Sequence, residues 1–188
     1  VMGSSEYFFG LVVSDMPITL IACLLQGTIF YWMAGLRATA AAFFTFLGIG
    51  VVTSLASSSM LLTLGAFSPD VGTANSIVSL VLLFVMFLNG YFSVQPAWVW
   101  LETINFMRFA VAAAFINQWK DLPVPCSSNT TCDVTNGNQV LTRLGVPSVS
   151  IGVWCAYILA VYVVMSVIGL LAVSFLYNGR ISTHHLAK

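Results

Sequence analysis

The stretch NSIVSLVLLFVMFLNGYF, residues 75–92, decides the fold class of this protein. Between Ile77 and Leu88 every residue except Ser79 is apolar, and the stretch contains no charged residue. A helix needs about 20 mostly apolar residues to cross about 30 Å of bilayer hydrocarbon. We therefore expect a transmembrane helix over residues 71–94.

Composition extends this prediction to the whole chain, since 59% of its residues are hydrophobic and only 6% are charged. A soluble domain has about a quarter of its residues charged, so a water-facing globule is excluded. The formal net charge is zero, which leaves no basic surface for nucleic acid. Three more stretches are long and apolar enough to span: residues 7–36, 39–67 and 149–177. The expected fold is an all-α polytopic membrane protein.

The polar stretch CSSNTTCD, residues 126–133, indicates which side of the membrane its loop faces. Asn129 begins a glycosylation acceptor triplet, and Cys126 and Cys132 flank it. Zinc would require closer cysteines with a second ligand pair, and His184 and His185 lie beyond the last span. We favour a disulfide, and an extracellular or lumenal location for residues 95–148.

The remaining topology follows by counting spans. Residues 97–119 are apolar and aromatic but begin and end on the outer side, so they form a re-entrant or interfacial helical stretch. Residues 120–148 form the outer loop and residues 178–188 a cytosolic tail. Because the chain begins with Val1 and not Met, we expect it to be a fragment of a longer protein.

Two features inside the first two spans have structural interpretations. Asp15 lies two turns into the first span, close to Pro17. A carboxylate in a membrane helix is by default a candidate functional residue, for example in proton relay. Because Asp15 lies near the end of the span, we prefer an interfacial or structural role. In the second span, small residues fall on one face and predict a helix-packing ridge. These residues are Gly50, Ser54, Ser57 and Ser58.

The third span carries a stripe of residues at helical spacing, made of Ser79, Leu82, Leu83 and Met86. Lipid contact or core packing is the ordinary meaning of such a stripe. It leads outward, however, to Asn89-Gly90 and then to Tyr91 and Phe92, which could form a constriction. No phosphate-binding loop, zinc-protease motif or Ser/His/Asp set occurs in the chain, so we assign it no catalytic residue and no metal.

The order of motifs resembles one transporter family. These motifs are SDMP (14–17), MAGL (33–36), a Ser-rich span, LNGYF (88–92), INQW (116–119) and the cysteine-bounded loop. Together they resemble the third to sixth membrane helices of the G-subfamily of ATP-binding-cassette (ABC) transporters, over nearly the whole chain.

The resemblance implies an ATP-driven exporter that moves lipids, sterols or hydrophobic drugs by alternating access, in the plasma membrane or an internal membrane. It implies a second membrane domain, in a homodimer, a heterodimer or a full-size transporter. ATP and Mg²⁺ would bind to a nucleotide-binding domain that this chain lacks.

Site residues follow from the same resemblance. The stripe Ser79, Leu82, Leu83 and Met86 would line the substrate cavity, and Tyr91 with Phe92 would form the plug above it. Cys126 and Cys132 could pair with each other or across subunits. The family commonly has Asn-Glu-Phe where this chain has Asn117-Gln118-Trp119, and its plug is commonly aliphatic. The alternative is a non-transporting four-span scaffold or adhesion protein, which the absence of an upstream Walker A loop would favour.

Overall fold

In a computed structural model, the protein is helical throughout the part that the structure describes, which comprises residues 4–89, 105–123, 136–147 and 149–186. Within these ranges the single β feature is an isolated bridge between Pro123 and Asn136. The expected all-α fold is confirmed for these residues. The helices are α1 Ser4–Met33, α2 Ala40–Phe67, α3 Val71–Phe87, α4 Phe106–Trp119, α5 Gly137–Arg143 and α6 Ile151–Leu186.

Among the described residues, three helices contain segments long and apolar enough to cross a bilayer: Phe8–Met33, Ala40–Phe67 and Ile151–Phe175. The chain is therefore an integral membrane protein. The fourth predicted span is a shorter apolar helix, Val71–Phe87, of about 26 Å at 1.5 Å per residue. It ends one residue before Leu88, its C-cap, and residues 90–94 of the predicted span lie outside the described ranges.

Helix ends depart from the predictions where local backbone chemistry intervenes. We expected the first span to run to residue 36, but α1 ends at Met33 because Gly35 adopts a φ of 61°, the left-handed conformation that commonly ends helices. Asp70 begins α3 by accepting a hydrogen bond from the Thr73 backbone nitrogen at 2.9 Å. This cap satisfies one of the first free N–H groups of the helix.

The last span and the outer loop contain more helix than predicted. Helix α6 continues to Leu186, well past residue 177, and its 36 residues extend about 54 Å. No proline interrupts this region, and the helix continues through the predicted tail. In the predicted loop 120–148, a seven-residue helix, α5, follows the N-cap Asn136.

Helix α2 is the centre of the bundle and packs against α1, α3, α4 and α6. The largest core joins α2, α4 and α6, and small alanines bring the helices together there. Its buried members are Ala56, Met60, Phe106, Ala110 and Ile158. Helix α3 packs mainly on α2.

The predicted ridge on α2 is confirmed at two positions that face α1. A Cβ added to Gly50 would lie 3.3 Å from Cys23 Sγ, so the helices approach closely there. The Ser58 hydroxyl lies 3.3 Å from the Thr19 hydroxyl. Small residues therefore bring α1 and α2 into close contact.

Gly169 on α6 permits a close approach of α6 to α1 and α2. A Cβ at this position would lie 2.7 Å from the Phe8 ring and 2.8 Å from Thr63 Oγ1. The Thr63 hydroxyl also lies within hydrogen-bond distance of the Met165 carbonyl, at 2.8 Å. A side chain at position 169 would therefore require Phe8 or Thr63 to move.

Contacts between α5 and the residues that follow α4 close the base of the predicted loop 120–148. Asn138 and Asp121 form two hydrogen bonds, from Asn138 Nδ2 to the carboxylate at 3.0 Å and from the Asp121 backbone nitrogen to Asn138 Oδ1 at 3.2 Å. Gly137 donates to the Leu122 carbonyl at 2.9 Å. Pro123 and Asn136, which form an isolated bridge, are therefore held side by side.

Candidate functional site

The predicted substrate stripe lies on a bare face of α3. Leu82, Leu83 and Met86 expose 38%, 56% and 50% of their surface, and Ser79 is also exposed. None of the helices that the structure describes covers this face. The stripe is one continuous surface, as predicted, and within the described residues it encloses no cavity.

The Ser79 hydroxyl is satisfied within its own helix, because it donates to the Asn75 carbonyl at 2.8 Å. A serine bonded in this way presents little unsatisfied polarity to an apolar environment. The stripe therefore offers an almost entirely apolar surface. On the other side of α3, Val81, Val85 and Leu88 are half-buried against the bundle.

A cavity of about 560 Å³ lies between α3 and α6, on the side of α3 away from the stripe. It exists because α3 packs on α2 and leaves space beside α6. The lining is almost wholly apolar: Met60, Val81, Phe84, Val85, Leu88, Asn105, Phe106, Tyr157, Ala160, Val161, Val164 and Met165. Sequence reasoning missed this cavity, since helical periodicity reports faces and carries no signal for spacing between helices.

Asn105 closes one end of this cavity and joins α3 to α4. It is only 9% exposed, and its Nδ2 donates to the Val85 carbonyl at 2.7 Å while its Oδ1 caps α4 at Met107. The amide is therefore satisfied at both atoms. Its role is to fix the start of α4 beside the end of α3.

An aromatic group stiffens the cavity wall on α6. Phe109 stacks on Trp154 with ring centroids 4.8 Å apart and meets the Tyr157 ring edge-on at 4.3 Å. Such pairs contribute about 0.5–1.5 kcal/mol beyond the area they bury. They hold Tyr157 at the cavity while α4 and α6 remain in contact.

Asn117, which matches the Asn-Glu-Phe pattern, and Gln118, which differs from it, connect α4 to the start of α2 and to the turn between α1 and α2. Gln118 Oε1 accepts from the Arg37 backbone nitrogen at 3.0 Å, and Asn117 Nδ2 donates to the Ala42 carbonyl at 2.8 Å. The nearby Tyr31 hydroxyl donates to the Arg37 carbonyl. These residues therefore stabilise the contact between α4 and the α1–α2 turn, a role that the sequence pattern did not identify.

Several predicted site residues lie outside the described residues. They are the plug pair Tyr91 and Phe92, the cysteines Cys126 and Cys132, and the acceptor Asn129. The neighbouring Asn89 is described and is buried, with 2% exposed. Within the described ranges, Cys23 and Cys155 are free thiols.

Comparison with known proteins identifies the family of this chain. Residues 1–119 match the family described as ABC-2 type transporter. Over 149 residues the chain is 34% identical to ABC transporter G family member 24 of Dictyostelium discoideum, covering 76% of this chain and 13% of that protein.

Two further relatives have names that describe transport. The rat protein named broad substrate specificity ATP-binding cassette transporter ABCG2 is 27% identical over 163 residues, which cover 80% of this chain and 25% of that protein. ABC multidrug transporter I of Aspergillus fumigatus is 30% identical over 130 residues, covering 67% of this chain and 9% of that protein. The chain thus spans a quarter or less of each of these relatives. It belongs to the ABC-2 type transporter family, as part of the membrane domain of a G-family ABC transporter.

Proposed function

We propose that this chain forms part of the membrane pathway of an ATP-driven exporter for hydrophobic or amphipathic molecules such as lipids, sterols and drugs. Family membership supports a transporter. The names of the rat and Aspergillus relatives, which mention broad substrate specificity and multidrug transport, support a permissive apolar substrate surface. The scaffold alternative has no observation in its favour.

The bare face of α3 is the observation that carries this proposal. Ser79, Leu82, Leu83 and Met86 form a surface without charge, and the serine hydroxyl is bonded internally. Such a surface binds apolar molecules without directional contacts, at about 25 cal/mol per Å² of apolar area removed from water. Such a surface is therefore suited to substrates that are apolar but differ from one another in shape.

A second membrane domain would face this stripe and complete the substrate cavity. That domain would come from an identical subunit, a different subunit or the other half of a full-size protein. Alternating access requires the substrate to bind two conformations with different affinity. Closure of two facing apolar surfaces supplies such a difference, because it removes the space that the substrate occupies.

The remaining site residues complete the proposed pathway. Tyr91 and Phe92 would form the plug at the outer end of the stripe. Residues 95–148 would face the outside or a lumen, with sugar on Asn129 and a disulfide at Cys126 and Cys132. The membrane is the plasma membrane or an internal one.

ATP and Mg²⁺ would be bound by a nucleotide-binding domain and not by these helices. The sequence has no Walker A loop. The described residues hold no group of three or more His, Cys, Asp or Glu side chains able to bind a metal ion. We therefore assign neither ATP nor Mg²⁺ to a residue of this chain.

The function is tested with the full-length protein in inside-out vesicles. We expect ATP-dependent accumulation of at least one member of a panel of fluorescent lipids, sterols and cationic drugs, and stimulation of ATPase activity by the same compound. The proposal would be contradicted if no compound stimulated ATP hydrolysis and if no compound accumulated more with ATP than with a non-hydrolysable ATP analogue.

A further inference from the structure

A small polar cavity lies where α1, α2 and α6 meet, away from the α3 stripe. Its volume is about 10 Å³, enough for the centre of one water molecule and too little for a larger ligand. Four polar side chains from three helices line it, among apolar neighbours. They are Asp15 on α1, Ser58 and Ser59 on α2, and Tyr162 on α6.

The hydrogen bonds beside this cavity have a determined direction. The Thr19 hydroxyl donates to Asp15 Oδ2 at 3.2 Å and lies 3.3 Å from Ser58 Oγ. A threonine hydroxyl carries one proton, which Asp15 already receives. Ser58 must therefore donate to Thr19, so the chain runs from Ser58 through Thr19 to Asp15, and the Ser58 lone pairs stay available.

Two polar atoms at the cavity lack a partner within the described ranges. Asp15 makes one side-chain hydrogen bond, through Oδ2, and Oδ1 makes none. The Tyr162 hydroxyl also makes none. Both side chains are half-buried, and a polar group that faces apolar neighbours without a hydrogen bond is unfavourable. A bound group that accepts from Tyr162 and donates to Asp15 would satisfy both atoms.

We propose that this cavity binds one water molecule, which connects α1, α2 and α6 inside the membrane. The water accepts a hydrogen bond from the Tyr162 hydroxyl and donates to Asp15 Oδ1 and Ser58 Oγ. Three hydrogen bonds are typical of a buried water. Asp15 is then a hydrated junction residue within the bundle, and not a side chain that extends to the membrane surface.

Packing around the cavity supports a fixed junction. On α6, Gly169 lies about two turns beyond Tyr162, and a Cβ there would meet Phe8 of α1 and Thr63 of α2. On α2, the Ser59 hydroxyl donates to the Ala56 carbonyl at 2.9 Å, which keeps its lone pairs available to the cavity. The same three helices therefore pack directly against one another near Gly169, and the proposed water joins them near Tyr162.

Radiolytic footprinting of the full-length protein in lipid nanodiscs, in isotopically labelled water, detects such a water directly. Side chains beside a bound water are oxidised even where bulk water is excluded. We expect oxidation of Tyr162 to fall in Asp15→Leu, while that of Tyr31, which is 1% exposed and does not line the cavity, stays unchanged. Equal oxidation of Tyr162 in the wild type and in Asp15→Leu would overturn the proposal.

Thermal unfolding in the same nanodiscs provides an independent readout that requires no transport. Tyr162→Phe removes one hydroxyl and should lower the folding equilibrium constant about three- to tenfold, the usual range for one hydrogen bond. Ser166→Ala is the matched control, since the Ser166 hydroxyl on the same helix is buried without a partner and its removal should cost nothing.

A double-mutant cycle tests whether the water couples α6 to α2. Because one water joins Tyr162 to Ser58, the loss in Tyr162→Phe combined with Ser58→Ala should be smaller than the sum of the single losses. Additive losses, or a Tyr162→Phe variant as stable as Ser166→Ala, would overturn the proposal while leaving the exporter function untouched.

Discussion

The side-chain oxygen of Gln118 accepts a hydrogen bond from the backbone nitrogen of Arg37 at 3.0 Å. The bond joins the last turn of α4 to the turn between α1 and α2, and the Arg37 side chain donates to the Lys120 carbonyl at 3.3 Å. A glutamate, which the family pattern places here, would offer the same acceptor. The difference between this chain and that pattern therefore preserves the connection.

Removing this acceptor should loosen the connection. Gln118→Ala leaves the Arg37 nitrogen without its partner, so we expect a loss of about 1 kcal/mol in the free energy of unfolding. Gln118→Glu is the matched control and should stay close to wild type. Thermal unfolding in nanodiscs measures both, and equal stability of Gln118→Ala and wild type would contradict the structural role.

Gly169→Ala should push α6 away from α1 and α2. The added methyl would lie 2.7 Å from Phe8 and 2.8 Å from Thr63, so we expect a loss of about 1–3 kcal/mol, as for other overpacked sites. Gly152→Ala on the same helix has no atom within 4 Å and serves as the control. Similar melting temperatures for the two variants would show that the close packing at position 169 does not matter.

Asn105→Asp keeps one of the two side-chain hydrogen bonds of Asn105 and removes the other. Aspartate still caps α4 through Met107 but cannot donate to the Val85 carbonyl, the bond that joins α3 to α4. We expect a loss of about 1 kcal/mol, with faster hydrogen exchange confined to the end of α3. Unchanged exchange at residues 85–89 would argue against this connection.

The Asp70 cap should make the stability of α3 depend on pH. The pKa of this exposed carboxylate lies below its ordinary value of 3.8 because the Thr73 backbone N–H, and then the Thr73 hydroxyl, donate to it. Since the folded pKa is lowered, the stabilisation is complete above 3.8 and is lost as the pH falls through the lowered value. Asp70→Asn keeps a side-chain acceptor for the Thr73 N–H but does not titrate, so this variant should lose less stability than the wild type as the pH falls. Identical curves of stability against pH for the two proteins would exclude a contribution from the Asp70 carboxylate.

The sequence predicted best what depends on hydropathy. Helix α2 was expected over residues 39–67 and occurs at Ala40–Phe67, because an uninterrupted apolar stretch specifies its own length. The stripe on α3 was also predicted as one face, since helical spacing alone determines which residues share it.

Features that depend on local backbone chemistry or on distances between helices were missed. Helix α5 is too short for a periodic signal, and α1 ends early because of one glycine conformation at Gly35. The cavity between α3 and α6 depends on how far apart two helices lie. The position of Asp15, Ser58 and Tyr162 around one small cavity depends on three helices at once. No pattern within one segment records such distances.

Transport by tryptophan variants of the full-length protein in inside-out vesicles tests the central claim, that the bare face of α3 lines the substrate path. Ser79→Trp and Met86→Trp each place a bulky ring on that face, whereas Ile77→Trp places one about 160° around the helix from Ser79. Ile77 and Leu82 are equally exposed, at 38%, so lipid contact alone would not distinguish the two sides. We expect at least a tenfold loss of export in both stripe variants and near wild-type export in Ile77→Trp. Unchanged export in Ser79→Trp and Met86→Trp would contradict the claim.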